Sequence, residues 1–190
     1  MQKKKIVVAL TGASGMIYAE RLLKRFQSEE LNSQLSELAL ITSDNVKGIW
    51  ANEITKTKLS DFNFPVYNNN NFYVPFASGS SAYDVMIIIP CSMGTLGRIA
   101  CGVSENLIGR TADVMLKERK KLILVTREMP LSLIHINNMK TVTEAGGIIC
   151  PASPTFYNKP LSINKLADTV VERILDSAGF RIDASRWKSK

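Results

Sequence analysis

Five short apolar runs with no polar alternation, at residues 5–10, 38–42, 85–89, 122–126 and 148–150, restrict the fold of this chain more than any other feature. A strand with one wet face alternates apolar and polar side chains, so an unbroken run marks a strand covered on both faces of a parallel sheet. Between the runs the spacing becomes helical. Met16, Ala19, Leu23 and Phe26 recur at three to four residues, and Ile163, Leu166, Val170 and Ile174 do so behind Ser162, a residue type suited to cap a helix. Alternating β and α units predict a single-domain α/β fold: a doubly wound, Rossmann-like, mostly parallel sheet with helices on both faces. The 190 residues suit one domain over 1–190, with 1–4 and 181–190 as peripheral tails, and 45% apolar residues supply its core.

In such a sheet ligands bind beyond the carboxyl ends of the strands. The segments that follow the runs read TGASG, TSDN, PCSMGT, TREMP and CPASPTFY, each rich in small or hydroxylic residues. Together they describe one polar crevice. The first looks like a dinucleotide turn, yet Tyr18 stands where the third glycine of that fingerprint belongs. The second run ends at Ser43, where an acidic residue for a ribose hydroxyl is expected. Both departures argue against a dinucleotide. A Gly/Ser turn at a helix N-terminus still suits a single phosphate or a polar ring.

The formal charge of +7 suggests nucleic acid until it is located: six of the seven charges fall at Lys3, Lys4, Lys5 and in residues 180–190. The body is nearly neutral and has no basic, aromatic-interleaved stripe, so nucleic acid is not expected as a partner. Cys91, Cys101 and Cys150 are odd in number and form no C-x-x-C pair, which predicts reduced thiols and a cytoplasmic setting. His135 is the only histidine, so most metal constellations are excluded. The longest aliphatic run, 85–89, is far too short to span a membrane. Residues 67–76 (YNNNNFYVPF) read as a solvated loop insertion whose aromatics, Phe72, Tyr73 and Phe76, either form a lid or bury at a subunit contact. Arg110 and Lys117, seven positions apart, share one helix face. Arg127 beside Glu128 at a strand's carboxyl end pairs a phosphate clamp with a proton carrier.

Five stretches, TGASG, ASGSSA, PCSMGTL, RTADVMLKERKKLILVTREMPLS and GGIICPASPTFYNKP, resemble the UbiX-type flavin prenyltransferases in order and spacing. The resemblance covers nearly the whole chain and is weakest between Lys56 and Asn71 and after Phe180. It implies a metal-independent transferase that joins a dimethylallyl group from dimethylallyl monophosphate to reduced FMN at N5 and C6. The product, prenylated FMN, serves partner decarboxylases in ubiquinone and aromatic-acid metabolism. By the same resemblance the flavin contacts are Gly12, Ala13, Ser14, Ser43, Ser92, Met93, Gly94, Thr95 and Arg127. The prenyl phosphate falls to Lys117, Arg127, Tyr157 and Arg173, with Arg110 contributing from a neighbouring subunit of a homododecamer. Glu53, Glu128 and Ser14 are the implied proton-handling groups.

These residue types suit the chemistry. A monophosphate leaving without a metal needs fixed cations and hydroxyls. Aromatic faces shelter an allylic cation, and a carboxylate takes up the proton lost from C6. The nearest rival is a flavin-dependent cysteine decarboxylase, but Gly94 and REMP stand where that group has asparagine and its P-A-M-N motif. A non-catalytic FMN-binding protein is the second rival. An NAD-dependent epimerase would need a Tyr-x-x-x-Lys pair that is missing.

Overall fold

The computed structural model describes residues 3–183. Six strands form one parallel sheet: β1 (Lys4–Leu10), β2 (Leu35–Thr42), β3 (Val66–Asn68), β4 (Val85–Cys91), β5 (Lys121–Thr126) and β6 (Ile148–Ile149). Their order across the sheet is β3-β2-β1-β4-β5-β6. The chain winds outward from β1 to β3, then crosses back to lay β4 against the other side of β1. That reversal makes β1 and β4 the switch point, where a crevice opens at the carboxyl ends. Among the described residues the α-helices are α1 (Met16–Gln27), α2 (Glu29–Asn32), α3 (Val46–Glu53), α4 (Met93–Ala100), α5 (Leu107–Lys117), α6 (Leu133–Glu144) and α7 (Ile163–Ala178).

Two cores result from the pleat. Ile6, Val8 and Leu10 pack with Leu22, Leu23, Phe26 and Ile174 on the α1/α7 face. Val7 and Ala9 pack with Leu96, Leu107, Ala112 and Met115 on the other. The expected doubly wound fold is therefore present. Across the first face, Arg21 makes two hydrogen bonds to the Asp168 carboxylate, 2.6 and 2.9 Å, which clamp α1 to α7. Ser162 caps α7 as its sequence predicts, accepting from Lys165 N at 3.2 Å. Ile163, in contrast, is 74% exposed, because the first turn of α7 overhangs the sheet and only the inner part of the stripe is covered.

Lys4 belongs to β1 rather than to the tail expected at 1–4, and Lys5 beside it pairs with Glu37 at 3.1 Å. Residues 67–76 are not simply a loop, since they continue the edge strand β3 and then tie down α5. Asn69 O accepts from Leu107 N at 2.7 Å and Asn69 Oδ1 accepts from Ile108 N at 3.0 Å. Phe76 is fully buried, wedged edge-on between Tyr67 and Tyr83 with ring centroids 5.2 and 5.3 Å away, so it is neither a lid nor a surface residue. Tyr73 is fully exposed and Phe72 partly so. His135 is a capping residue: Ser132 N donates to its Nδ1, and its own N–H donates back to Ser132 Oγ, both at 3.3 Å. The three cysteines are free.

The burial of Phe76 generates a stability test. Phe76→Ala is expected to cost about 3–5 kcal/mol, a fall in Tm on the order of 10 °C for a chain of this size. Tyr73→Ala should leave Tm unchanged. Thermal melts followed by circular dichroism compare the two, and a lid role for Phe76 would leave its melt at the wild-type value.

Candidate functional site

The crevice is set by one buried hydroxyl. Thr11, at the end of β1, donates to Pro90 O at 2.7 Å and accepts from Ser92 N at 2.8 Å, so the TGASG turn and the start of α4 are fixed side by side. Ser92 then caps α4 by accepting from Thr95 N at 3.3 Å. Ala13 and Met93 turn their side chains into the core, which leaves only their backbone to face a ligand. Gly15 caps α1 with φ +107°, a left-handed conformation that a side chain would strain. Tyr18 packs its ring over Gly15, which explains how a bulky residue fits the third-glycine place. Burial pushes the Tyr18 hydroxyl above its usual pKa, and the Arg127 guanidinium partly offsets this.

The two sides of the turn face different partners. On the Ser14 side, Arg127 Nε donates to Ser14 O at 3.0 Å. Glu53, the last residue of α3, accepts from both Gly15 N and Met16 N at 2.8 Å through one carboxylate oxygen. Those are the N–H groups that sequence reasoning offers to a phosphate, and here the chain's own carboxylate takes them. Glu128 is exposed beside Arg127 and accepts from Met129 N at 3.1 Å. Ser14, Glu53, Arg127 and Glu128 thus gather at the carboxyl ends of β1 and β5.

On the Gly12 side lies a cleft of about 240 Å³, lined by Gly12, Ser43, Ser92 and Thr95 from the expected set. Asp44, Asn45, Asn69, Arg98 and Asn106 complete its polar wall, and none of these five was singled out in the sequence. They come from four separate segments, and only the topology joins them. A larger hollow of about 890 Å³ lies between α3 and residues 54–61, around Trp50, and none of the expected site residues lines it.

The remaining candidates are more scattered. Tyr157 is half-exposed in the loop after β6, whose start is tied to the end of β5 by Ala152 N donating to Thr126 O at 2.8 Å. Arg173 lies on the exposed face of α7, paired with Asp176 at 3.3 Å and close enough to Cys150 to counter the rise that burial imposes on that thiol. Burial pushes the Cys91 thiol up to about 12, so it is no nucleophile near neutral pH. Arg110 Nε donates to Ala77 O at 2.9 Å, and Lys117 meets Glu118 at 2.5 Å beside Gly79. The shared face expected for Arg110 and Lys117 is therefore real. It looks onto residues 77–79, however, and Lys117 sits at the amino end of β5, roughly 20 Å of strand away from Arg127. Gly94 is exposed in the first turn of α4. Among the described residues no three His, Cys, Asp or Glu side chains come together as a metal site, and no helix is long and apolar enough to cross a membrane.

Known proteins share this architecture. The family model described as Flavoprotein matches residues 1–175. The flavin prenyltransferase UbiX of Methanocaldococcus jannaschii is 44% identical over 186 residues, covering 97% of each chain. The crystal structure of AnUbiX (PadA1) in complex with FMN and dimethylallyl pyrophosphate superposes with a TM-score of 0.86 at 39% identity, over 98% of this chain and 100% of that one. The dodecameric FMN-dependent UbiX-like decarboxylase from Escherichia coli O157:H7 gives 0.87 at 38% identity, over 97% and 100%. With identity at this level across almost the full length of both chains, the protein belongs to the flavoprotein family and, within it, to the UbiX flavin prenyltransferases.

Proposed function

We propose that this chain joins a dimethylallyl group from dimethylallyl monophosphate to reduced FMN, at N5 and C6, yielding prenylated FMN for partner decarboxylases. The observation that carries the reading is the junction of Arg127 with the TGASG turn: its Nε donates to Ser14 O, it pairs with no carboxylate among the described residues, Glu53 takes the N–H groups of Gly15 and Met16 in the same turn, and Glu128 follows it in the chain. The residues fit a flavin mononucleotide. Gly12 keeps a side chain off the edge of the polar cleft, and that cleft suits a phosphate and ribityl chain. At about 240 Å³ that cleft holds only part of a flavin mononucleotide, below the roughly 300–1,000 Å³ of a typical ligand pocket, and a site completed by a neighbouring protomer fits this size.

Reduced flavin supplies the nucleophilic N5 and C6 positions. Arg127, Tyr157 and Arg173 hold the prenyl phosphate and neutralise it as its allylic C–O bond breaks. Arg110 and Lys117, remote from Arg127 in their own protomer, act on a neighbour's site within a homo-oligomer. Glu128 takes up the proton lost from C6, and Glu53 with Ser14 completes the proton handling. Gly12, Ala13, Ser43 and the Ser92–Thr95 turn hold the flavin through backbone groups and hydroxyls. Exposed Leu131, Leu133, Ile134, Phe156 and Leu161 give the protomer apolar surface to bury against its neighbours. Free thiols fit a cytoplasmic location.

Anaerobic incubation of the purified protein with reduced FMN and dimethylallyl monophosphate, followed by mass analysis of the flavin, tests the reaction. A gain of one dimethylallyl unit is expected. Unmodified flavin, with the diphosphate donor failing as well, overturns the reading in favour of a non-catalytic flavin protein. Arg127→Ala should weaken both flavin and prenyl-phosphate binding about tenfold or more, the loss of a charged hydrogen-bond partner. Titration of each ligand measures this, and unchanged flavin affinity counts against the bridging position. Glu128→Gln should bind both ligands yet slow single-turnover product formation by about 10²–10⁴. Full activity removes it from the mechanism.

A further inference from the structure

The hollow around Trp50 has no task in the reaction above. One of its walls is a single face of α3: Lys47, Trp50, Ala51 and Ile54 follow one another at three- and four-residue intervals, so they share one side of the helix. The opposite wall is the segment 55–61, which returns from the end of α3 toward the sheet, and Thr42 of β2 with Val66 of the edge strand β3 completes the lining. At about 890 Å³ the hollow lies within the roughly 300–1,000 Å³ of a small-molecule pocket.

These walls are fixed by the chain itself. Trp50 Nε1 donates to Thr57 O at 2.8 Å, and Thr57 Oγ1 donates to Glu20 Oε1 at 2.6 Å, so the returning segment is pinned to both α3 and α1. Trp50 also packs edge-on against Phe62, with ring centroids 6.0 Å apart. Asp61 accepts from Lys58 N at 2.8 Å, which closes the turn at the far end of the segment. A pocket held in this way costs a ligand little ordering.

The lining divides by chemistry. Trp50, Ala51, Ile54, Leu59 and Val66 give it an apolar body, and Val66 is left 53% exposed there. Lys47, Lys56 and Lys58 are exposed on the same walls, and among the described residues none of them joins an ion pair. Asp61 is the one carboxylate of the lining, and it is engaged by the Lys58 N–H. An occupant therefore meets apolar side chains together with an excess of positive charge. We propose that the hollow between α3 and residues 54–61 binds a small apolar acid, its hydrocarbon body against Trp50, Ile54 and Leu59 and its single carboxylate or phosphate among the three lysines. The site is separate from the crevice, since no residue assigned to the flavin or the prenyl phosphate lines it, and it does not depend on the flavin reading.

Calorimetric titrations of the full chain with naphthoate, with naphthyl phosphate and with neutral naphthalenemethanol test it. At least one of the two anions should bind about threefold or more tightly than the alcohol, the scale of an exposed ion pair, and lose that advantage in high salt. The anion that binds identifies the headgroup. The double substitution Lys56→Gln with Lys58→Gln should remove the advantage and leave the alcohol unchanged. Ala51→Trp, which fills the hollow from an exposed helix position, should abolish binding of all three at an unchanged melting temperature. Excess FMN should not displace the anion. Failure of both anions to bind, equal affinity for the alcohol, binding that survives Ala51→Trp, or displacement by FMN each overturns the assignment. The prenylation assay reads the flavin chemistry separately, so failure of one reading is distinguishable from failure of the other.

Discussion

The Thr11 hydroxyl is the interaction on which the crevice depends. β1 and β4 are adjacent, yet the chain leaves their carboxyl ends for opposite faces of the sheet: α1 packs on the face of Leu22 and Phe26, α4 on that of Leu96. The β1–β4 pairing stops at Ala9 and Ile88, and a further tie joins the two segments beyond it. Thr11 supplies it by donating to Pro90 O and accepting from Ser92 N, one buried side chain satisfying both partners. Leaving such groups unmade costs about 1–3 kcal/mol each. The positional consequence matters more. With the turn fixed against α4, Gly12 faces Asn45 and the polar cleft, and Ser14 faces Arg127.

Much of this was legible in the sequence because it is local. Unbroken apolar runs are a property of strands buried on both faces, and this holds for the runs on β1, β2, β4 and β5; the fifth, 148–150, falls on β6, a two-residue edge strand that is only half-buried. The 3.6-residue spacing of Met16, Ala19, Leu23 and Phe26 marks a helix face, and all four are fully buried. What escaped is what only three dimensions assemble. β3 is three residues long and half-exposed, so Val66–Asn68 carries no apolar signal. The asparagine run reads as solvent-loving, and only its proximity to Leu107 and Ile108 shows Asn69 holding the start of α5. Phe76 belongs to a tail of aromatics by sequence and to the core by packing. Arg98 shares its cleft with residues from the ends of β2 and β3 and the start of α5, and no spacing rule connects them.

The candidate residues divide between the two ends of the sheet. Its crevice gathers Ser14, Glu53, Arg127 and Glu128, while Lys117, which shares a face with Arg110, is held at the amino end of the sheet. A helix in a doubly wound fold runs antiparallel to its strands, so the last residue of α5 cannot reach its own crevice. Leu133 and Ile134 at the start of α6, and Phe156 and Leu161 in the loop before α7, are exposed apolar side chains.

Glu53 gives the two sides of the TGASG turn different characters. Its carboxylate takes the N–H groups of Gly15 and Met16, so the α1 terminus presents a carboxylate on the side where Arg127 donates to Ser14 O. The Gly12 side is instead walled by Ser43, Asp44, Asn45, Ser92, Thr95 and Arg98. A helix N-terminus ordinarily draws an anion from outside; here the chain's own carboxylate meets that demand.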